Sequence, residues 1–217
     1  MAEAVSPYKA PKRYHYQYPE MGTGPIPIEP YVSADYYAQE VEHIFKKVWL
    51  YACRVEQIAQ PGDFFVADLP ACDTSVVLVR NADGDIKAFH NMCSHRGNKI
   101  AYDASGSVEN LACRFHGWLY SLDGDLTFVP DEDNYFDLDK GCLGLAPVHV
   151  DEWEGFVFVN VDPEPEESLQ EYLGELGAGL HGYPFAAISG KAHRFETVVN
   201  ANWKLVKDAF QEVCHTP

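Results

Sequence analysis

The sequence predicts an α+β protein, in which a domain of short β-strands is flanked by helical segments. Between residues 49 and 161, short runs rich in β-branched and aromatic side chains alternate with turn residues. Apolar residues recur at helical spacing before this region, from Ser33 to Val48, and again after Asn202. A break with two prolines, at residues 162–165, ends the strand-rich region. We therefore predict an N-terminal extension with the start of a helix over 1–38, an all-β domain over 39–162 and the beginning of an α+β domain over 163–217.

The N-terminal extension is rich in proline. Six prolines among the first 32 residues exclude a continuous helix there, so this stretch is predicted to be extended. Ser33 is suited to cap the helix that follows. Five apolar residues at helical spacing predict one face of that helix, which we expect to pack in the core: Tyr37, Val41, Ile44, Phe45 and Val48.

Eight strands are predicted between residues 49 and 161, and turn residues separate them. They span 49–53, 63–69, 74–80 and 85–90, and then 118–122, 125–129, 148–150 and 155–161. The run from Asn81 to Gly84 and the pair Asp123-Gly124 are hairpin signals. Beyond the break, residues 169–180 are predicted to be helical and residues 193–200 to form a strand.

Charge and composition limit the partners of this chain. Its 217 residues include 16 basic and 33 acidic side chains, which give a formal net charge of −17. Such a charge disfavours binding to nucleic acid and to anionic membrane surfaces. Residues 1–20 lack the pattern of a secretory signal, and the apolar runs are too short to cross a bilayer. We therefore expect a cytoplasmic protein with reduced thiols.

Two short clusters of cysteine and histidine carry the chemistry of the sequence. One residue separates Cys93 from His95, and two residues separate Cys113 from His116. Zinc and iron–sulfur centres both bind such ligands, so the spacing alone leaves a structural zinc site open. In a Rieske [2Fe–2S] centre, two histidines replace two of the four cysteines. The first cluster follows the predicted strand 85–90, and Leu111-Ala112 leads into the second, so each cluster lies at the end of an extended segment, as two loops that clamp one metal centre require.

The residues that flank these clusters resemble the cluster loops of Rieske proteins. Arg96 in the first loop, and Gly117, Trp118 and Tyr120 in the second, resemble the α (large) subunits of ring-hydroxylating Rieske non-haem iron oxygenases. The resemblance to respiratory-chain Rieske proteins is weaker.

Respiratory-chain Rieske proteins carry an additional cysteine in each loop and a serine after the second His-Gly pair. Here Asn98, Phe115 and Trp118 stand in those three places. Because each lost hydrogen bond to the cluster lowers its reduction potential, we expect a potential at the low end of the Rieske range.

The resemblance implies the ligands and the reaction. Cys93 and Cys113 would hold one iron of a [2Fe–2S] cluster, and His95 and His116 the other. Electrons from NAD(P)H would arrive through a reductase, in some systems by way of a ferredoxin. They would pass to mononuclear Fe(II), where O₂ would be used to hydroxylate a small organic substrate, which the resemblance implies is aromatic. The enzyme would be a monooxygenase or a dioxygenase. The resemblance also implies a helix-grip catalytic domain after the Rieske domain and a trimer, in some systems with a small β subunit.

The last sixteen residues resemble the start of the catalytic segment of these α subunits. On that match, Glu212 is the carboxylate that links the two metal sites between neighbouring subunits, and His215 is a ligand of the mononuclear iron. Cys214 replaces the tyrosine that the family usually has there. Because the sequence stops at Pro217, we expect an N-terminal piece with an incomplete iron site, inactive in oxygenation.

Two other functions remain open. The chain could be a stand-alone Rieske ferredoxin that only carries electrons, or a binding module stabilised by zinc. The long N-terminal segment and the run from Asn202 to His215 disfavour an electron carrier, which needs neither. Metal content and colour distinguish the zinc protein.

Overall fold

A computed structural model of the chain describes residues 19–22, 24–187 and 196–211. The chain divides into two compact units. The larger comprises Tyr37–Thr197, and the smaller combines Met1–Tyr36 with Val198–Pro217. All strands of the described residues, and both cysteine–histidine clusters, belong to the larger unit.

The larger unit is built from three antiparallel sheets. Their strand orders are β1-β10-β9, β4-β3-β2-β5 and β6-β7-β8. The strands are β1 Leu50–Arg54, β2 Asp63–Leu69, β3 Thr74–Arg80, β4 Ile86–His90, β5 Ser105–Ser107, β6 Leu111–Ala112, β7 Leu119–Tyr120, β8 Leu126–Phe128, β9 His149–Trp153 and β10 Phe156–Asn160.

Strand β3 separates two hydrophobic cores. Its residues Val76 to Val79 are fully buried, because β2 and β4 flank the strand and both of its faces are covered. Val77 and Val79 point into the core that contains the two cluster cysteines. Val76 and Leu78, on the opposite face, point into the core formed with β1 and β10.

The eight strands predicted between residues 49 and 161 are confirmed, most with small changes at their ends. Both β2 and β3 have the predicted bounds, whereas the strand predicted over 118–122 shrinks to two residues. Strand β5 was not predicted, because its Ser-Gly-Ser sequence has no strand propensity. Gly106 is needed there, since a Cβ atom would lie 2.9 Å from the Phe64 ring.

The helices are α1 Glu29–Val32, α2 Ala34–Glu40, α3 Leu169–Leu180 and α4 Trp203–Gln211, and a π-helical turn, Val41–Phe45, continues α2. Short 3₁₀ turns occur at Pro19–Met21, Val55–Ile58, Pro70–Cys72, Glu132–Asn134, Lys140–Cys142 and Phe185–Ala187. No helix among the described residues is long and apolar enough to cross a membrane.

Two predictions for the N-terminal part of the chain are wrong. Residues 29–32 form one helical turn rather than an extended segment, since Pro30 is tolerated in a first turn. Ser33 does cap the next helix and accepts a hydrogen bond from the Tyr36 N–H at 3.2 Å. The predicted apolar face is not a buried stripe, because Tyr37 and Ile44 are 41% and 42% exposed. The π-helical turn changes the residues per turn and breaks the 3.6-residue spacing.

Helix α3 begins where the sequence predicts. Ser168 and Glu171 form a capping box, in which the Glu171 N–H donates to Ser168 Oγ at 3.3 Å. Gly174, with φ +48°, interrupts the helix in its middle. In the last predicted strand, residues 196–200 form no regular structure, and 193–195 lie outside the described residues.

Candidate metal centre

The first cysteine–histidine loop, residues 93–98, follows strand β4. The Cys93 N–H donates to the Asn98 carbonyl oxygen at 2.8 Å, and the Gly97 N–H donates to the Cys93 carbonyl oxygen at 2.9 Å. Gly97 has φ +72°, a left-handed conformation that favours glycine. The buried Asn91 side chain holds the returning chain, since it accepts from the N–H groups of Ile100 and Ala101.

The second loop, residues 113–118, closes the β6–β7 hairpin and repeats the same backbone turn. The Cys113 N–H donates to the Trp118 carbonyl oxygen at 2.8 Å, and the Gly117 N–H donates to the Cys113 carbonyl oxygen at 2.9 Å. Gly117 also has φ +72°. The turn thus places cysteine and glycine alike in both loops, while histidine follows the cysteine by two residues in the first loop and by three in the second.

The two cysteines lie deep in the site. Cys93 and Cys113 are each 2% exposed, and their side chains contact each other. The Tyr120 hydroxyl lies 3.1 Å from Cys93 Sγ and accepts a hydrogen bond from the Ser94 N–H at 3.2 Å, so its own proton can point at the sulfur. Burial, together with the neighbouring Cys93, raises the pKa of Tyr120, so this hydroxyl keeps its proton at neutral pH.

The two histidines lie side by side. The ring centroids of His95 and His116 are 4.7 Å apart. The His95 ring stacks on the Trp118 indole, with 4.7 Å between the centroids and 9° between the planes. The centroid of the Phe115 ring lies 3.9 Å from that of His116, and Phe115 is 61% exposed. Within the described part of the chain, the buried His95 Nδ1 has no hydrogen-bond partner, and neither has Trp118 Nε1.

The pKa shifts in the site follow from burial and from nearby N–H groups. Burial raises the pKa of the Cys93 thiol. Burial acts in the same direction on Cys113, but N–H donors from Phe115 and His116, with contributions from Cys93 and Asn98, bring its pKa below the ordinary value. Burial, helped by electrostatic interactions with His116 and Arg96, lowers the pKa of His95 and favours the neutral imidazole that binds metals.

These side chains fit a [2Fe–2S] group. Two thiols in contact and two adjacent imidazoles supply the mixed ligand set of a Rieske centre, with one pair for each iron. The unpartnered His95 Nδ1 fits a nitrogen that ligates a metal. Within the described ranges, no group of three or more histidine, cysteine, aspartate or glutamate side chains is arranged to hold a single metal ion.

The structure thus brings together the cysteine pair and the histidine pair that the sequence singled out. The predicted carboxylate Glu212 and iron ligand His215, with Cys214, lie outside the described residues. Of the other cysteines, Cys53 and Cys72 are buried and Cys142 is exposed, each as a free thiol.

Three neighbours of the ligands also contribute to the site. The sequence names Tyr120, Trp118 and Asn98 only through the resemblance to Rieske proteins, and their contacts were not predicted. The Tyr120 hydroxyl and the Asn98 amide both approach a cysteine sulfur, the latter at 3.8 Å from Cys113. Trp118 supports the His95 ring. A spacing pattern does not show which side chain from another loop points at a sulfur atom.

Comparison with known proteins places this site in a family. A family described as the Rieske [2Fe-2S] domain matches residues 48–150. The carnitine monooxygenase oxygenase subunit of Escherichia coli (strain K12) is 32% identical over 191 residues, which cover 88% of this chain and 50% of that protein. The glycine betaine monooxygenase oxygenase subunit of Chromohalobacter salexigens is 35% identical and is covered over 39% of its length, with 82% of this chain.

A solved structure agrees with these relatives. The quaternary ammonium Rieske monooxygenase CntA, in complex with γ-butyrobetaine, superposes with a TM-score of 0.79 at 30% identity, over 88% of this chain and 54% of that one. The large oxygenase component of the naphthalene 1,2-dioxygenase system of Pseudomonas aeruginosa is 33% identical, over 80% of this chain and 39% of that protein. The chain spans about half the length, or less, of the curated relatives it matches.

The matches confirm the family and the α+β fold class that the sequence predicts. They cover both cluster loops, and the relatives named here are oxygenase components rather than stand-alone ferredoxins. This chain carries a Rieske [2Fe–2S] domain and is homologous to the N-terminal portion of the large subunits of Rieske oxygenases.

Proposed function

We propose that Cys93 and Cys113 bind one iron of a [2Fe–2S] cluster and that His95 and His116 bind the other. The observation that carries this proposal is the meeting of a buried cysteine pair and an adjacent histidine pair, supplied by two loops of the same backbone turn. When bound, the cluster supplies storage and transfer of one electron. The remaining residues of the site hold the ligands in place and shield the sulfur atoms from water.

The two ends of the site differ in their access to solvent. The cysteine end is almost fully buried, whereas Phe115, beside His116, and Met92, beside the first loop, are 61% and 50% exposed. We propose that electrons enter and leave through the histidine end. A protein partner that docks there can approach the ligand rings, while the cysteines remain in the core.

We propose that the chain functions in the oxygenase component of a Rieske system rather than as an independent carrier. Homology to oxygenase subunits extends over 88% of the chain, well beyond the Rieske domain at 48–150. On this proposal, a reductase, with or without a ferredoxin, would supply the electrons that the cluster would pass on to mononuclear iron. Glu212 as the bridge between subunits, His215 as an iron ligand and the trimer remain parts of the proposal.

We propose a quaternary ammonium compound as the substrate, in place of the aromatic compound that the sequence resemblance suggested. Relatives at 32% and 35% identity are named for carnitine and glycine betaine, and the superposed structure contains γ-butyrobetaine. Dioxygenation of an aromatic ring is the second candidate, because a naphthalene dioxygenase component is 33% identical.

The cluster is tested by absorption and EPR spectra of the purified chain, oxidised and after dithionite, with iron, sulfide and zinc assayed together. We expect a reddish protein with two irons and two sulfides per chain and a Rieske-type EPR signal on reduction. A colourless protein with one zinc would overturn the assignment of all four ligands and the electron transfer that depends on them.

The substrate class is tested by O₂-dependent turnover with NAD(P)H and a reductase. Carnitine, glycine betaine and naphthalene are supplied in separate assays to the 217-residue chain and to a longer protein that contains it. Oxygenation of a quaternary ammonium compound by the longer protein supports the proposal. Oxygenation of naphthalene and of neither quaternary ammonium compound contradicts it. We expect the 217-residue chain to be reduced without oxygenating any of them.

A further inference from the structure

We propose that Asn98 is a positioning residue that joins the two ligand cysteines and raises the reduction potential of the cluster. The inference rests on the proposed [2Fe–2S] cluster and adds a residue outside the ligand set. It concerns a side chain of the first loop that acts on the sulfur of the second.

Asn98 contacts both cysteines. Its backbone carbonyl oxygen accepts the N–H of Cys93 at 2.8 Å, which closes the first loop. Its side-chain Nδ2 lies 3.8 Å from Sγ of Cys113, fifteen positions further along the chain. A 3.8 Å contact is within the range of hydrogen bonds to sulfur, which is larger than oxygen.

The orientation of the Asn98 amide is fixed by its other hydrogen bonds. Nδ2 donates to the Lys99 carbonyl oxygen at 3.0 Å, and Oδ1 accepts the proton of the Tyr102 hydroxyl at 3.1 Å. A flipped amide would place Oδ1 against the Lys99 carbonyl oxygen, which has no proton to donate. The network therefore directs the second N–H of the amide at the Cys113 sulfur.

Such a donor stabilises negative charge on the sulfur. Cys113 is 2% exposed and Asn98 half-buried, so bulk water screens the contact only partly. Reduction adds an electron to the cluster and increases the negative charge that its ligand sulfurs share. Hydrogen bonds to the sulfurs are among the features that set cluster potentials, and a donor favours the reduced form.

A side-chain donor at this position of the turn occurs in the first loop only. The equivalent position of the second loop, five residues after its cysteine, is Trp118, whose indole stacks on His95. Trp118 thus uses its side chain to hold a histidine, whereas Asn98 uses its own to reach a cysteine.

The test is the reduction potential of the cluster-loaded chain with Asn98→Leu, which keeps a similar size and removes the donor. We expect unchanged iron and sulfide and an equilibrium constant for reduction that falls about threefold to tenfold. At about 59 mV per tenfold for one electron, the potential falls by roughly 30 to 60 mV. The matched control is Asn110→Leu, at an exposed asparagine outside both loops, with the potential of the original chain.

A second variant keeps the proposal testable if Asn98→Leu does not assemble its cluster. Tyr102→Phe leaves the Asn98 amide in place and retains the ring over Arg114, but removes the hydroxyl that orients the amide. We expect a fall in potential in the same direction and smaller than that of Asn98→Leu. If Asn98→Leu, or Tyr102→Phe where Asn98→Leu does not assemble, carries a full cluster and has the same potential as Asn110→Leu, the inference is overturned while the cluster assignment stands. An original chain without a Rieske EPR signal overturns both.

Discussion

The two cluster loops share one backbone turn and differ in what surrounds their sulfur atoms. In both, the glycine four residues after the cysteine has φ +72° and donates its N–H to the cysteine carbonyl oxygen at 2.9 Å. Around Cys93, a buried tyrosine hydroxyl from another strand is the side-chain donor. Around Cys113, N–H groups of its own loop and the Asn98 amide approach the sulfur.

This difference shows that a repeated turn does not produce two equivalent ligands. Burial is equal at both cysteines, at 2% exposure. Burial raises the pKa of Cys93, which accepts one backbone N–H of its own loop, from His95. Cys113 accepts two, from Phe115 and His116, and its pKa lies below the ordinary value; the contact between the two thiols adds to this difference. The backbone turn places the sulfur atoms, and the donors around each one decide how easily it carries negative charge.

Loss of either sulfur tests whether the loops act together, and we expect it to have the largest effect. Cys93→Ser and Cys113→Ser should each lose nearly all cluster iron and the Rieske EPR signal, because the cluster would be held by both loops and the ligands of one loop would not suffice. Iron and sulfide assays of purified protein measure the loss. Cys142→Ser, at an exposed cysteine, is the control and should keep a full cluster. Full iron content in either ligand variant would contradict the two-loop clamp.

Alanine substitutions at Gly97 and Gly117 test how much space surrounds each of the two turns. Both substitutions force a residue with a Cβ into left-handed backbone, at about 1–2 kcal/mol of unfolding free energy. Gly117→Ala should cost more than Gly97→Ala, because its Cβ would lie 3.1 Å from Pro130, whereas the nearest atom at Gly97 is 3.5 Å away on the flexible Met92.

Urea denaturation of the two glycine variants measures this order. Gly84→Ala, with φ +89° and no atom within 4 Å of the added Cβ, is the control for backbone strain alone. Equal losses at Gly97 and Gly117, or the reverse order, would contradict the prediction that the second turn is the more crowded.

Removal of the Tyr120 hydroxyl tests the donor of the first sulfur. Tyr120→Phe keeps the buried ring and removes the proton aimed at Cys93, so the reduced cluster loses stabilisation. We expect a fall in potential on the order of 60 mV, about tenfold in the reduction equilibrium of a one-electron couple. A redox titration followed by EPR measures it, and Tyr172→Phe, at an exposed tyrosine, is the control. A potential unchanged by Tyr120→Phe would mean that the first sulfur has no effective side-chain donor.

The smallest predicted effect is a pH-dependent change in stability at an ion pair outside both loops. The Lys47 ammonium donates to Asp162 at 2.8 Å and lowers the pKa of that carboxyl, whose side chain is 4% exposed. A carboxyl with a lowered folded-state pKa stabilises the fold above its ordinary pKa, and this contribution disappears as the pH falls through the folded-state value.

Asp162→Asn should therefore lower the melting temperature at pH 7, with a difference that shrinks below about pH 4. Thermal unfolding from pH 3 to pH 8 measures the effect. The cluster potential at pH 7 should stay that of the original chain, because Asp162 lies outside both loops. A difference in stability that persists at pH 3 would mean that the Lys47 contact is not its source.

Much of the fold follows from local patterns. Strands β2 and β3 have their predicted bounds, and α3 begins at its predicted residue, because side-chain alternation and capping act over a few neighbouring residues. The apolar face predicted between Tyr37 and Val48 is wrong where a π-helical turn changes the spacing. Strand β5 forms only because β2 offers an edge to pair with, which its own Ser-Gly-Ser sequence does not indicate.

For the site, the local sequence specifies the two short cysteine–histidine clusters and the glycine that lets each loop turn. Spacing and conformational freedom are local properties of a few residues. The donors that surround each sulfur depend instead on tertiary contacts. The Tyr120 hydroxyl reaches Cys93 across 27 positions, and the Asn98 amide reaches Cys113 across 15. Contacts at such separations exist only once the strands have paired, because strand pairing brings the two loops side by side.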